Sequence, residues 1–169
     1  DLNNYYKADL SPFDINFTKY IKITNKNKYF FELIKKFLTK GKVLELGPGF
    51  GYLSKLLKDN NYDLTIIEQD KDLCNFYTKI LKIDNVINAD IINLKLDKYK
   101  YDCIAAFQVI EHLNNPLKWL QNVSDNLRNN GLLFISTPNP AAFQFKIMQN
   151  LWPHLDAPRH QIIYSPQSL

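Results

Sequence analysis

Short apolar runs and amphipathic helical segments take turns along the middle of this chain, and that alternation constrains its fold more than any other feature. Tyr29, Phe30, Leu33, Ile34, Phe37 and Leu38 recur at helical spacing, and Gly41 follows where such a helix would end. The apolar run Val43 to Leu46 comes next and stops at a cluster of glycines. Tyr52, Leu53, Leu56 and Leu57 restore the helical pattern, then Leu64 to Ile67 reads as a strand. Leu73, Phe76, Tyr77, Ile80 and Leu81 predict another helix, and Val86 to Ala89 a third strand. Tyr101 to Phe107 is apolar almost throughout, as a strand buried on both faces would be. A helix is predicted from Pro116 to Arg128, opened by proline and closed by Asn129-Asn130-Gly131. Leu132 to Thr137 is a fifth strand and Ala141 to Leu151 a further helix. Strands that alternate with helices build a parallel sheet covered on both faces. The chain is α/β.

A length of 169 residues fits one domain. A chain of this size buries roughly 70% of its extended surface, enough for a core without disulfides or metals. The content of 46% hydrophobic and 22% charged residues excludes a disordered tail. No stretch reaches the roughly 18 apolar residues of a spanning helix, so stable membrane insertion is not expected. The opening residues D-L-N-N-Y-Y-K lack the apolar run of a signal peptide. Cys74 and Cys103 lie in apolar segments and read as buried thiols, which points to a reducing, cytoplasmic setting. The net charge is +4, but Arg128 and Arg159 are the only arginines among 21 basic residues. The lysines are scattered among asparagines and acids. A nucleic-acid surface would concentrate its cations and favour arginine, so no nucleic-acid partner is expected.

In open α/β sheets ligands bind beyond the carboxyl ends of the strands. The first strand ends in V-L-E-L-G-P-G-F-G, Val43 to Gly51, followed at once by a helix. Glycines there let the backbone approach a ligand closely, with a helix N-terminus facing it. A dinucleotide fingerprint would read G-x-G-x-x-G; here the third glycine comes one position early. Glu68 closes the second strand, 21 positions after Gly47, the spacing that suits a carboxylate gripping ribose hydroxyls.

These residues resemble a class I S-adenosylmethionine-dependent methyltransferase. E-L-G-P-G-F-G resembles that family's first motif and I-I-E-Q-D, Ile66 to Asp70, its second. N-A-D-I-I, Asn88 to Ile92, resembles the adenine-contacting segment after the third strand. Q-V-I-E-H-L, Gln108 to Leu113, resembles the segment after strand four in the branch containing the ubiquinone-biosynthesis O-methyltransferases. G-L-L-F-I-S-T-P-N-P, Gly131 to Pro140, matches that branch's fifth strand and loop. The stretch Asp156 to Leu169 is similar to one found in its bacterial members, some encoded among polysaccharide genes. The resemblance covers roughly residues 40 to 169 and implies a Rossmann-like open sheet with S-adenosylmethionine as cofactor.

Carried over position by position, the resemblance passes Gly47, Gly49 and Gly51 beneath the cofactor. It gives Glu45 the loop and the methionine ammonium, and Glu68 both ribose hydroxyls. Gln69 would flank the adenine, Asp90 accept from its amino group, and Ile91 pack on the ring. Gln108 would line the methionine end. The implied activity is methyl transfer to an oxygen or nitrogen of a small, sugar-linked or lipid-linked acceptor. The alternative is an inactive cofactor-binding module with a scaffold or regulatory role.

A hydroxyl or amine acceptor must lose a proton, and histidine is the side chain best tuned for that near neutral pH. Among His112, His154 and His160, His112 ranks first as catalytic base because it follows strand four, with His160 next. His160 and Arg159 belong to a polar stretch that could fold over the pocket. In quinone-methylating members an E-x-x-E-H stretch accompanies a divalent metal; here its first acid is Gln108. An amide replaces a carboxylate poorly on a hard cation, so no metal is expected.

Residues 1–40 read as a helical N-terminal segment and a potential pocket lid, with Tyr5, Tyr6 and Tyr20 available to a sulfonium. Residues 41–169 read as the cofactor-binding domain. Ser165-Pro166 has the form of a helix start, and the resemblance implies two further strands beyond Leu169. The oligomeric state stays open.

Overall fold

The computed structural model describes residues 25–91 and 100–169. Tyr5, Tyr6 and Tyr20 lie outside them. Helix α1 (Asn25–Phe37) leads into β1 (Lys42–Leu46), α2 (Tyr52–Asp59), β2 (Asp63–Glu68), α3 (Lys71–Lys79) and β3 (Asn85–Asn88). After these come β4 (Tyr101–Phe107), α4 (Pro116–Asn126), β5 (Leu127–Ser136) and α5 (Phe143–Met148). The five strands form one sheet in the order β3-β2-β1-β4-β5, and every pair is parallel. Strand order therefore reverses at β1, between β2 and β4. That is the switch point at which doubly wound sheets leave a crevice.

Alternation of side chains along buried strands divides the core in two. On one face Cys103 and Ala105 of β4 join Val43, Ile66, Phe31, Ile34, Leu53, Leu57, Phe76 and Tyr77. On the other, Ile104 and Ala106 join Leu44, Leu46, Ile67, Trp119, Val123 and Tyr164. Helix α1 is part of this packing: Phe31 and Ile34 are buried, and Phe30 stacks on Phe107 with ring centroids 4.0 Å apart. Cys74 and Cys103 are buried and free.

Two element boundaries differ from the sequence expectation. Helix α4 stops at Asn126 rather than Arg128, and β5 begins at Leu127, paired with Tyr101. Leu127 packs on the apolar cluster, and Arg128 turns outward to bind Asp102 at 2.7 Å. These contacts outweigh one more helical turn. The ladder then slips, resuming at Cys103 and Leu132, and Asn130 takes a left-handed conformation (φ 63°) in the intervening bulge. The helix expected over Ala141 to Leu151 is α-helical only from Phe143 to Met148, and a short 3₁₀ turn follows at Gln149–Leu151. No helix of the described residues is long and apolar enough to cross a membrane.

Candidate functional site

The glycine loop after β1 comes first along the crevice. Gly47, Gly49 and Gly51 all have left-handed φ values, 59°, 58° and 69°, which an L side chain adopts only with strain. They differ in their surroundings. A Cβ on Gly51 would lie 2.8 Å from Leu81 Cδ1 and 3.1 Å from Tyr77 Cε1, so this glycine lets α2 pack close to α3. A Cβ on Gly47 would crowd Val109 and Ile91, where three loops converge. A Cβ on Gly49 would meet nothing within 4 Å, so the loop is open to an incoming group at this point.

Three side chains brace the loop. Glu45 is buried, and the Ser54 hydroxyl donates to its Oε2 at 2.6 Å. Burial pushes the Glu45 carboxyl up to about 7, with the Ser54 bond opposing. The Tyr77 hydroxyl donates to the Gly49 carbonyl. That same hydroxyl lies beside Glu68, which burial holds above the usual carboxylate range while the Asp70 and Gln69 N–H groups pull it down. The Asp70 N–H donates to Glu68 Oε1 at 2.9 Å. Asp70 then caps α3 through its own side chain, accepting from Asp72 and Leu73 N–H. Residue types and spacing marked Glu68 but not Tyr77 or Asp70. An aspartate just before a helical pattern was the available signal for Asp70; nothing local marked Tyr77.

The remaining expected residues take their places along the same edge. Gln69 and Asp90 are exposed, and Ile91 is half-buried beside Gly47. Gln108 has a φ of 60° and is pinned to β5: its N–H donates to the Ser136 carbonyl at 2.8 Å and its Nε2 to Ser136 Oγ at 3.1 Å. Gln108, Ser136, Thr137, Asn139, Trp152 and His154, with Phe30 from α1, line a cavity of about 290 Å³. Thr137 Oγ1 and Trp152 Nε1 are buried there without a hydrogen-bond partner among the described residues. No Asp, Glu, Lys or Arg lines this cavity among the described residues.

Two of the three histidines stand elsewhere. The rings of His112 and His160 meet edge to face, centroids 4.8 Å apart. His112 Nδ1 is 3.0 Å from the Arg159 carbonyl, and His160 Nδ1 is 2.7 Å from the His154 carbonyl. Arg159 itself pairs with Asp156 at 2.6 Å. Of the three histidines, His154 is the one that lines the cavity.

A family model described as a methyltransferase domain matches residues 20–169. A ribosomal RNA small subunit methyltransferase A of Malacoplasma penetrans is 37% identical over 71 residues, 42% of this chain and 25% of that protein. A Mycobacterium tuberculosis protein named a probable S-adenosylmethionine-dependent methyltransferase is 31% identical over 101 residues, 60% of this chain and 37% of its own. The ubiquinone biosynthesis O-methyltransferase of Rickettsia akari is 28% identical over 106 residues, 60% and 42% respectively. The chain thus spans between a quarter and about two fifths of these relatives. Among solved structures, the CcbJ methyltransferase of Streptomyces caelestis superposes with a TM-score of 0.63 at 16% identity. That match covers 70% of this chain and 51% of that one.

Proposed function

Since the chain belongs to the class I S-adenosylmethionine-dependent methyltransferase family, we propose that it carries a methyl group from S-adenosylmethionine to an oxygen or nitrogen of a small, sugar-linked or lipid-linked acceptor. The cofactor supplies a methyl on a sulfonium, already a good electrophile, so positioning provides most of the acceleration. One observation carries the reading: the Tyr77 hydroxyl joins the open Gly49 turn after β1 to buried Glu68 at the end of β2. That arrangement suits a nucleoside whose ribose bonds to Glu68 while the rest of the cofactor crosses the glycines. Asp90 and Ile91 after the third strand, with Gln69 after the second, would hold the adenine. Glu45, at the root of the glycine loop, would steady that loop and favour a methionine ammonium.

Gln108 joins this side of the sheet to the cavity, which we assign to the acceptor. Its uncharged lining of amide, hydroxyl and aromatic side chains favours a neutral, oxygen-bearing molecule. The scarcity of arginine argues for a small acceptor over nucleic acid. His154, which lines the cavity, is the imidazole we assign to proton removal.

Calorimetry with S-adenosylhomocysteine and with NAD tests the cofactor class. The expected outcome is binding of the first and none of the second, and the reverse overturns the reading. Glu68→Ala should weaken S-adenosylhomocysteine by about 1.5–3 kcal/mol per lost charge-assisted bond, less where water substitutes. Transfer of labelled methyl from the cofactor into small-molecule and RNA fractions of a cell extract separates the acceptor classes. No transfer to any fraction, with cofactor binding intact, would favour the inactive binding module.

A further inference from the structure

We propose that Glu111, His112 and His160 form a binding site for a first-row divalent metal ion of the zinc type, with His160 supplying a ligand where the amide of Gln108 cannot. This goes against the expectation drawn from Q-V-I-E-H alone, in which two donors make no site. One ligating atom from each of Glu111, His112 and His160 lies within 4.8 Å of the other two. An ion about 2.0–2.2 Å from each would need them somewhat closer. Both imidazoles are half-exposed.

The backbone holds His160 in position. The Gln161 and Ile162 N–H groups both donate to the Glu111 carbonyl, at 2.7 and 3.2 Å, and the His160 N–H donates to the Asp156 carbonyl. Tyr164, a few residues on, is buried in the same apolar cluster as Ile110 and Leu113. The segment after β5 is therefore bound directly to the turn that carries Glu111 and His112.

The imidazoles are oriented as ligands. Each places Nδ1 against a backbone carbonyl, His112 on Arg159 at 3.0 Å and His160 on His154 at 2.7 Å. A carbonyl only accepts, so Nδ1 carries the proton and Nε2 keeps the lone pair. Metal-binding histidines are fixed in just this manner by an outer hydrogen bond. Glu111 is fully buried, and a carboxylate in such a place is stabilised by a nearby cation. Two imidazoles and one carboxylate suit zinc, cobalt or manganese better than magnesium or calcium. Three protein donors leave a coordination position for water or another oxygen.

Cobalt(II) is the probe, added to chelator-treated full-length chain and read by its visible d–d absorption, with no turnover needed. One ion per chain is expected, displaced by zinc. His160→Ala should weaken cobalt binding more than the ~10–100-fold that loss of an outer partner costs, while the melting temperature of the metal-free protein and its S-adenosylhomocysteine affinity stay unchanged. His160→Cys should restore binding and add a thiolate-to-cobalt charge-transfer band. Absence of a d–d spectrum in the parent chain overturns the proposal, as does equal binding by His160→Ala. Calorimetry with S-adenosylhomocysteine on the metal-free chain tests the methyltransferase reading separately, so the two can fail independently.

Discussion

Glu45 shows how one residue can report on the whole crevice. Its carboxyl sits at about 7 when folded, against 4.5 for an ordinary glutamate. The folded state therefore holds that proton more tightly than the unfolded chain does. Between pH 4.5 and 7 the unfolded state loses its proton first, so stability from this group falls as pH rises, by up to about 1.4 kcal/mol per unit. Urea titrations at stepped pH should show that decline levelling off above 7, and Glu45→Gln should flatten it. If Glu45 faces a bound ammonium, S-adenosylhomocysteine binding near pH 6–7 should also release a proton, detectable calorimetrically as a dependence on buffer ionisation heat. Histidine roles separate at the same scale. His154→Ala should lower turnover by about 10²–10⁴-fold with cofactor affinity unchanged, whereas His160→Ala should act through metal content. Sequence spacing marked Glu68, which closes β2, whereas Glu45 and Gln108 were legible only through the resemblance of their motifs. It ranked His112 above His154 because chain order reveals which loop follows a strand, and not which loop folds back over the crevice.

At the scale of elements, the glycine loop was legible as a loop, but the three glycines do different work. Gly51→Ala would force a Cβ to within 2.8 Å of Leu81 while holding φ at 69°. Strain and overpacking together should cost about 2–4 kcal/mol, seen as a lower urea midpoint at unchanged slope. Gly49→Ala meets open space, so it should cost only the backbone term of about 1–2 kcal/mol. It should instead weaken S-adenosylhomocysteine, since its Cβ enters the space assigned to the cofactor. A stability loss at Gly49 as large as that at Gly51 would contradict this division. Strand β4 was legible to the residue because a two-sided buried strand is a continuous apolar run bounded by polar residues. The end of α4 was not. Leu127 and Arg128 suit a helix locally, and only the strand partner Tyr101 and the Asp102 carboxylate, both distant in sequence, draw them into β5.

For the molecule as a whole, the strand order β3-β2-β1-β4-β5 brings the loops after β1, β2 and β4 to one edge, where the proposed cofactor would touch all three. A ligand that bridges loops from both halves of a sheet binds the folded chain and not the unfolded one. Its binding energy is then added to global stability as RT ln(1 + [L]/Kd). At a concentration 100 times Kd, S-adenosylhomocysteine should contribute about 2.7 kcal/mol. For a domain of this length that corresponds to a rise in melting temperature of about 5–10 °C. NAD at the same concentration should give no rise, because the third glycine comes one position early for the dinucleotide fingerprint. Glu68→Ala should shrink the S-adenosylhomocysteine shift, measured from that variant's own unliganded melting temperature, in proportion to its loss of affinity. A shift of full size in Glu68→Ala would mean that the ligand is held elsewhere on the sheet edge, and the assignment of ribose to the end of β2 would fall with it.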